Sequence, residues 1–422
     1  METKDKELLS SELPNAWKSS MDTFISKASN AEIWDEEGKR YLDYVGGYAV
    51  LNTGHLNPTV IKRVEEQLKD FTHSCFAFAP HKKALKLCEE LNSRYPISQI
   101  TKSFLINSGA EAVENAIKIA RYSTKRANLI SFIGSFHGRT HMALGLTGKE
   151  SPYKEGFGPF PNEIYQSIFP YLYRDVSTEQ AIERIEEIFT KKVNPLEVAA
   201  IIIEPQLGEG GYIPCEKDFL QYLRMKCSEN GIVLIFDEVQ TGFGRTGKMF
   251  AAEHFEVEPD IVTLAKGIAG GFPLAAVTGR AELMDSLQEN GLGTTFGASP
   301  VSCSAALGVL EVIDTENVLG NANNQASIMR SAFEMIQEDS NCIGDIRGLG
   351  PMIGVEIIES KESKNPSKKR ANKIIEEAKK RGLLLVSCGL DENVIRFMGP
   401  LTTPISQVEE AMEIFSESIK AN

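Results

Sequence analysis

Lys266 stands in "PDIVTLAKGIAGGFPLAAVTGR" (259–280), directly behind an apolar strand-like run and ahead of a Gly-rich turn, where a long charged side chain has no evident structural use. Asp237 holds a similar place in "IVLIFDEVQTGFGRTG", at the carboxyl end of another apolar run. Open α/β sheets bind ligands in the crevice outside such strand ends. A single strand-end acid is ordinarily only solvated, so Asp237 gains meaning from its company. That company includes "LINSGAEAVENAIKIAR": a strand, a tight Ser108-Gly109 turn and a helix whose first N–H groups suit a dianionic phosphate. Gly109 admits close approach of the backbone, and Glu114 is expected to pair with Lys118 on the solvent face. An amine, a carboxylate and a phosphate cradle at strand ends are what pyridoxal 5′-phosphate (PLP) requires. The lysine condenses with its aldehyde, the aspartate keeps the ring nitrogen protonated, and the helix holds the phosphate. The turn Gly267 to Gly271 leaves an incoming amine room to displace the lysine.

The elements that must position these groups are legible as periodicities. Apolar runs in "KSFLINSG", "NLISFIGS", "VAAIIIEP", "GIVLIFDE" and "PDIVTLAK" have the pattern of buried parallel strands. Between them, stretches such as "EKDFLQYLRMKCSENG" carry helical spacing, with Gly231 placed to end that helix. The spacing predicts a large α/β domain over 46–300 and a smaller α+β domain over 301–422. Residues 1–45, with a hairpin over Glu36-Glu37-Gly38, pack against the smaller one. At 422 residues and 42% hydrophobic the chain is long enough for two cores. Its 45 Lys+Arg against 58 Asp+Glu give a net charge of −13, which repels phosphate backbones and argues against nucleic acid as a partner. Seven scattered cysteines without a Cys-x-x-Cys indicate neither disulfide framework nor thiolate metal site. "METKDKELLSSELPNAW" lacks an apolar centre, and no run approaches the roughly 20 apolar residues that span a bilayer, so a cytoplasmic protein with no membrane contact is expected.

Seven ordered motifs then carry a resemblance through nearly the whole chain. They are "NTGHLNP" (52–58), "NSGAEAVENAIKIAR" (107–121), "FHGRTH" (136–141), "IIEPQLGEGG" (202–211), "FDEVQTGFGRTGKMFA" (236–251), "AKGIAGGFPLAAVTGR" (265–280) and "IGDIRGLG" (343–350). In these the chain resembles the class III, or ω-amino-acid, aminotransferases of PLP fold type I, and most closely the 4-aminobutyrate group. The resemblance implies a large domain with a mostly parallel seven-stranded sheet and a small α+β domain formed by the N- and C-terminal segments. It implies that Gly109 and Ala110 present N–H groups to the phosphate, that Phe136 stacks on the cofactor ring, and that Gln240 reaches its phenolic oxygen. Ala110 replaces the family's hydroxyl residue, and Ser108 is expected to supply the hydroxyl instead. Thr295 is implied to bind the phosphate of a neighbouring subunit's cofactor, making the site a property of a homodimer, with pairing into tetramers left open. Arg139 matches the clamp for the carboxylate far from the reacting amine, and a planar cationic fork suits that task. Arg396 matches the residue that takes the α-carboxylate of glutamate or 2-oxoglutarate, and Glu209 the acid that neutralises it when no α-carboxylate is present.

Tyr48 departs from the 4-aminobutyrate group, which carries an aliphatic residue there, and matches ornithine aminotransferases instead. The amino donor therefore ranges over 4-aminobutyrate, 5-aminovalerate, ornithine and acetylornithine, with 4-aminobutyrate first and 2-oxoglutarate as acceptor. An amino-acid racemase or aminomutase would not need both Arg139 and the Glu209/Arg396 pair. A non-catalytic binding protein would not need Lys266 and Asp237. His137 and His141 lack a third ligand for a metal. Asn52 and His55 are expected to fix a turn, Asp35 to be a solvated hairpin acid, and Trp17 and Trp34 to be core residues.

Overall fold

The computed structural model describes Leu9, residues 11–17 and residues 19–422; the rest of the opening stretch, and with it part of the 1–45 segment, lies outside the described residues. In chain order the strands are β1 (Ile25–Ser29), β2 (Glu32–Asp35), β3 (Arg40–Asp43), β4 (Thr101–Ile106), β5 (Asn128–Phe132), β6 (Ile164–Ser167), β7 (Val198–Ile203) and β8 (Val233–Asp237). They continue as β9 (Ile261–Leu264), β10 (Ala275–Arg280), β11 (Ile343–Leu349), β12 (Met352–Ile357), β13 (Leu383–Leu384), β14 (Val386–Cys388) and β15 (Val394–Phe397). Seven of them form one sheet in the order β4-β10-β9-β8-β7-β5-β6. All its pairings are parallel except those of β10, which runs antiparallel to both β4 and β9.

The strand β7 shows why the sheet is buried on both faces. Its residues "VAAIII" are apolar without alternation and all enclosed. Val198, Ile201 and Ile203 join the core on one face, while Ala199, Ala200 and Ile202 join the other, under the helix Gly109–Thr124. Such two-faced burial is the reason parallel strands read as continuous apolar runs.

Two four-stranded sheets, β1-β2-β3-β13 and β11-β12-β15-β14, make the smaller part. Here Leu42 and Tyr44 from the N-terminal segment share a core with Phe333, Phe397 and Phe415 from the C-terminal one. The helix Pro300–Thr315, which the spacing assigns to the smaller domain, packs instead with the large sheet's core through Cys303, Ala306, Val309 and Leu310. It is apolar on nearly every side, so its pattern does not declare which core it belongs to.

Other local expectations are corrected. Glu114 does not pair with Lys118: its Oε1 accepts from Thr140 Oγ1 at 2.6 Å and from the Met142 N–H at 3.0 Å, holding the start of the next helix, while Lys118 reaches the Gly291 carbonyl. Asp35 is buried, not solvated, and accepts from the N–H groups of Glu37 and Lys39 and from the Tyr41 hydroxyl, which organises the hairpin. Trp17 is 72% exposed, and Trp34 is half-buried beneath Lys27.

Candidate active site

The carboxyl edge of the large sheet gathers the polar groups. Ser108 follows β4, Phe136 follows β5, Glu209 follows β7, Asp237 ends β8 and Lys266 follows β9, while the turn leading into the reversed β10 closes the same edge. Ser108, Gly109, Ala110, Phe136, Arg139, Glu209, Asp237, Gln240 and Lys266 line one cavity of about 460 Å³. A larger groove of about 1000 Å³ lies between the helices Val318–Asp339 and Ile405–Lys420, away from these strand ends.

Asp237 is buried and held from three sides. Its Oδ2 meets His137 Nδ1 at 2.7 Å, and its Oδ1 accepts from Thr263 Oγ1 at 2.9 Å and from the Val239 N–H at 3.1 Å. A carboxylate so fixed keeps its aim. Burial lowers the pKa of Lys266, although the carboxylate of Glu209 opposes the shift, so the lysine is more readily a neutral amine than one in water. Behind them lies Glu204, whose oxygens accept from the N–H groups of Phe136 and Gly208 at 2.8 and 2.9 Å. Burial pushes its pKa up to about 7, with Asp237 adding to the rise and His137 opposing it.

On the β4 side Ser108 caps the helix Gly109–Thr124, its Oγ accepting from the Glu111 N–H at 3.3 Å and donating to Glu111 Oε2 at 3.2 Å. That hydroxyl is already engaged. The N–H groups of Gly109 and Ala110, in the first helical turn, have no intrahelical acceptor, and both residues line the cavity. A Cβ at Gly109 would lie 2.9 Å from Val239 Cγ1, so only glycine lets the two segments close on each other. Gln240 Oε1 is buried without a hydrogen-bond partner among the described residues, and a Cβ at Gly208 would lie 2.4 Å from it.

The arginines differ in setting. Arg139 is exposed, has no carboxylate partner among the described residues, and lies with its guanidinium carbon 4.5 Å from the centroid of the Tyr153 ring. Arg396, on β15, is buried and its Nη1 is bound by Glu209 Oε1. Burial favours the neutral form of Glu209, but Arg396 overrides it and holds the pKa below the usual carboxylate value. Tyr48 lies over Arg396 at 5.4 Å from ring centroid to guanidinium carbon. It comes from a left-handed turn in which Gly46, Gly47, Tyr48 and Ala49 have φ of 54°, 62°, 62° and 63°. Thr295 is exposed and outside the cavity lining, beside Thr294, whose hydroxyl accepts from Asn107 Nδ2 at 3.1 Å. Asn52 and His55 fix a turn, as expected, bonding the Phe243 carbonyl and Asp43.

Three residues here escape the motif reading: His137, Glu204 and Tyr153. Glu204 had a signal, since an acid directly behind the wholly apolar β7 repeats the pattern that singles out Asp237 behind β8. His137 and Tyr153 had none, because their partners are distant in the chain.

The chain matches the family model described as aminotransferase class-III over residues 14–419. It is 46% identical to the 4-aminobutyrate aminotransferase GabT of Escherichia coli over 394 residues, 93% of this chain and 92% of that protein. To the 5-aminovalerate aminotransferase DavT of Pseudomonas aeruginosa it is 45% identical over 391 residues, again 93% and 92% of the two chains. An amine transaminase from an uncultivated Pseudomonas species, solved in its PLP-bound form, superposes with a TM-score of 0.90 at 27% identity, covering 97% of this chain and 98% of that one. Every residue lining the cavity falls inside the matched span, and the chain belongs to the class-III aminotransferases.

Proposed function

We propose that this aminotransferase carries PLP and moves the terminal amino group of an ω-amino acid, 4-aminobutyrate first among them, to 2-oxoglutarate, yielding succinate semialdehyde and glutamate. One observation carries the reading: Arg139 has no acid partner among the described residues, whereas Arg396 is closed by an acid of the same pocket. A donor with one carboxylate needs only Arg139. Glutamate and 2-oxoglutarate need a second cation, and Arg396 becomes available when Glu209 releases it.

The residues present fit PLP. The unpartnered Gln240 oxygen, the cradle at Gly109 and Ala110 with no room for a larger side chain at 109, and the anchored Asp237 each match one part of it. Bound there, it supplies an aldehyde that condenses with amines and a ring that accepts the electron pair of a breaking C–H bond. Asp237 holds the proton on the ring nitrogen, and His137 and Thr263 keep Asp237 aimed. Lys266, its pKa depressed, carries the proton away from and back to the reacting carbon. Gly109 and Ala110 bind phosphate through N–H groups, and Phe136 orients the ring. Ser108, whose hydroxyl caps its own helix, contributes to that end through the turn it shapes.

Tyr48 favours a second reading. Its hydroxyl offers a polar contact that ornithine or acetylornithine can use and 4-aminobutyrate cannot. The DavT relative keeps 5-aminovalerate among the donors. We also place the working form as a homodimer, in which Thr295 reaches the neighbouring site. Phe78, 89% exposed, the exposed Leu56 and Phe71, and Phe296, its ring tilted toward His73 at 5.2 Å, are apolar surface suited to contact with a second copy. Among the described residues no helix is long and apolar enough to cross a membrane. The seven unpaired thiols suit a reducing compartment, and we assign the protein to the cytoplasm.

A donor panel at fixed 2-oxoglutarate tests this reading. 4-Aminobutyrate should give the highest kcat/KM, and Arg396→Ala should slow the glutamate half-reaction by about 100-fold while sparing the 4-aminobutyrate half. A preference for ornithine would move the assignment to the Tyr48 reading, and equal losses in both halves would remove the role given to Arg396.

A further inference from the structure

Tyr153 stands between the two arginines. It lies in the turns of residues 151–157, and its ring carries the Arg139 guanidinium at 4.5 Å on one side and meets the Phe136 ring edge-on at 5.2 Å on another. Its hydroxyl donates at 3.2 Å to Glu209 Oε2, the oxygen that Arg396 leaves free. Burial, with Glu209 adding to it, raises the phenol well above its ordinary pKa, so it remains a donor at neutral pH. The main chain of Glu209 is pinned as well, its carbonyl accepting from the Gly389 N–H at 2.8 Å.

We propose that Tyr153 is a positioning residue that couples the two carboxylate sites: its hydroxyl receives Glu209 when a substrate α-carboxylate displaces that acid from Arg396, while its ring fixes Arg139 for the distal carboxylate. The inference rests on the reading of Arg139 and Arg396 given above. A half-buried carboxylate driven off its guanidinium loses its strongest partner and is only partly compensated by water. A donor already bonded to its second oxygen, on a backbone that cannot retreat, limits that loss. The hydroxyl therefore matters only for ligands that open the pair. The ring matters for every ligand that uses Arg139, through the cation–π contact.

Glutarate and pentanoate separate these contributions, because neither reacts and only glutarate has a second carboxylate for Arg396. Their affinities for the holoenzyme would be measured by calorimetry for the wild type, Tyr153→Phe, Tyr153→Ala and Arg396→Ala. Tyr153→Phe should weaken glutarate by about 10- to 100-fold, the scale of one hydrogen bond to a charged group, and leave pentanoate unchanged. Tyr153→Ala should weaken both. In steady state, Tyr153→Phe should raise KM for 2-oxoglutarate with little change in kcat. Unchanged glutarate affinity in Tyr153→Phe, or equal weakening of both ligands, overturns the proposal. If Arg396→Ala leaves glutarate as tightly bound as in the wild type, the reading of Arg396 fails and takes the role of Tyr153 with it, whatever the phenylalanine variant does.

Discussion

Glu204 is a carboxyl kept under the site by burial, and it makes folding sensitive to pH. Its folded pKa of about 7 lies above the ordinary 4.5, so between these values the folded chain binds a proton that the unfolded chain has released. The stabilisation is complete below about pH 4.5 and is lost as pH rises through about 7, a swing of up to about 3 kcal/mol. Glu204→Gln should flatten this part of the profile when urea unfolding is followed from pH 4.5 to 7.5. An unchanged difference between wild type and variant across that range would mean that Glu204 is ionised throughout. The same residue shows what a sequence discloses at this scale. An acid behind an apolar strand is visible, but its meaning depends on Asp237 and His137, which arrive from other strand ends.

At the scale of elements, strands with wholly apolar runs were legible because both faces of the sheet are covered, and helix ends were legible where a residue must adopt left-handed backbone. Gly231 is such a case. It follows the helix Lys217–Asn230 with φ of 63°, and a Cβ there would meet only Arg126 Nη2 at 3.5 Å. Gly231→Ala should therefore cost about 1 kcal/mol from backbone strain alone, read as a lower urea midpoint with an unchanged m-value. What the pattern could not disclose was direction and allegiance. The reversed β10 reads like its parallel neighbours, since "AAVTGR" is buried whichever way it runs. The helix Pro300–Thr315 has no polar face to say which core it joins. The strained turn Gly46–Ala49 escaped too, because Tyr48 and Ala49 are not residues that announce left-handed φ; each such position costs about 1–2 kcal/mol.

Across the whole molecule, the smaller sheets are fastened to the larger one by a buried ionic knot. Glu356, on β12, accepts from Arg347 Nη1 at 2.7 Å, from Arg174 Nε at 2.9 Å and from the Tyr171 hydroxyl, while Arg347 Nε donates to the Gly211 carbonyl at 2.9 Å. Removing one partner strands a buried charge. Arg347→Met should cost about 3 kcal/mol in equilibrium unfolding, whereas a surface pair such as Lys102–Asp285 should be nearly silent when broken. Equal effects would show that the knot is as wet as the surface. The knot also anchors the loop that carries Glu209, and this has a consequence for descent. The groups proposed to break bonds, Lys266, Asp237 and their supports, all grow from the large sheet. Of those proposed to choose the substrate, Arg396 and Tyr48 come from the chain's two terminal regions and Glu209 sits on the seam, while Arg139 follows β5 of the large sheet. A lineage can therefore exchange one diet for another by editing a turn and a short strand, while the inherited chemistry passes on untouched.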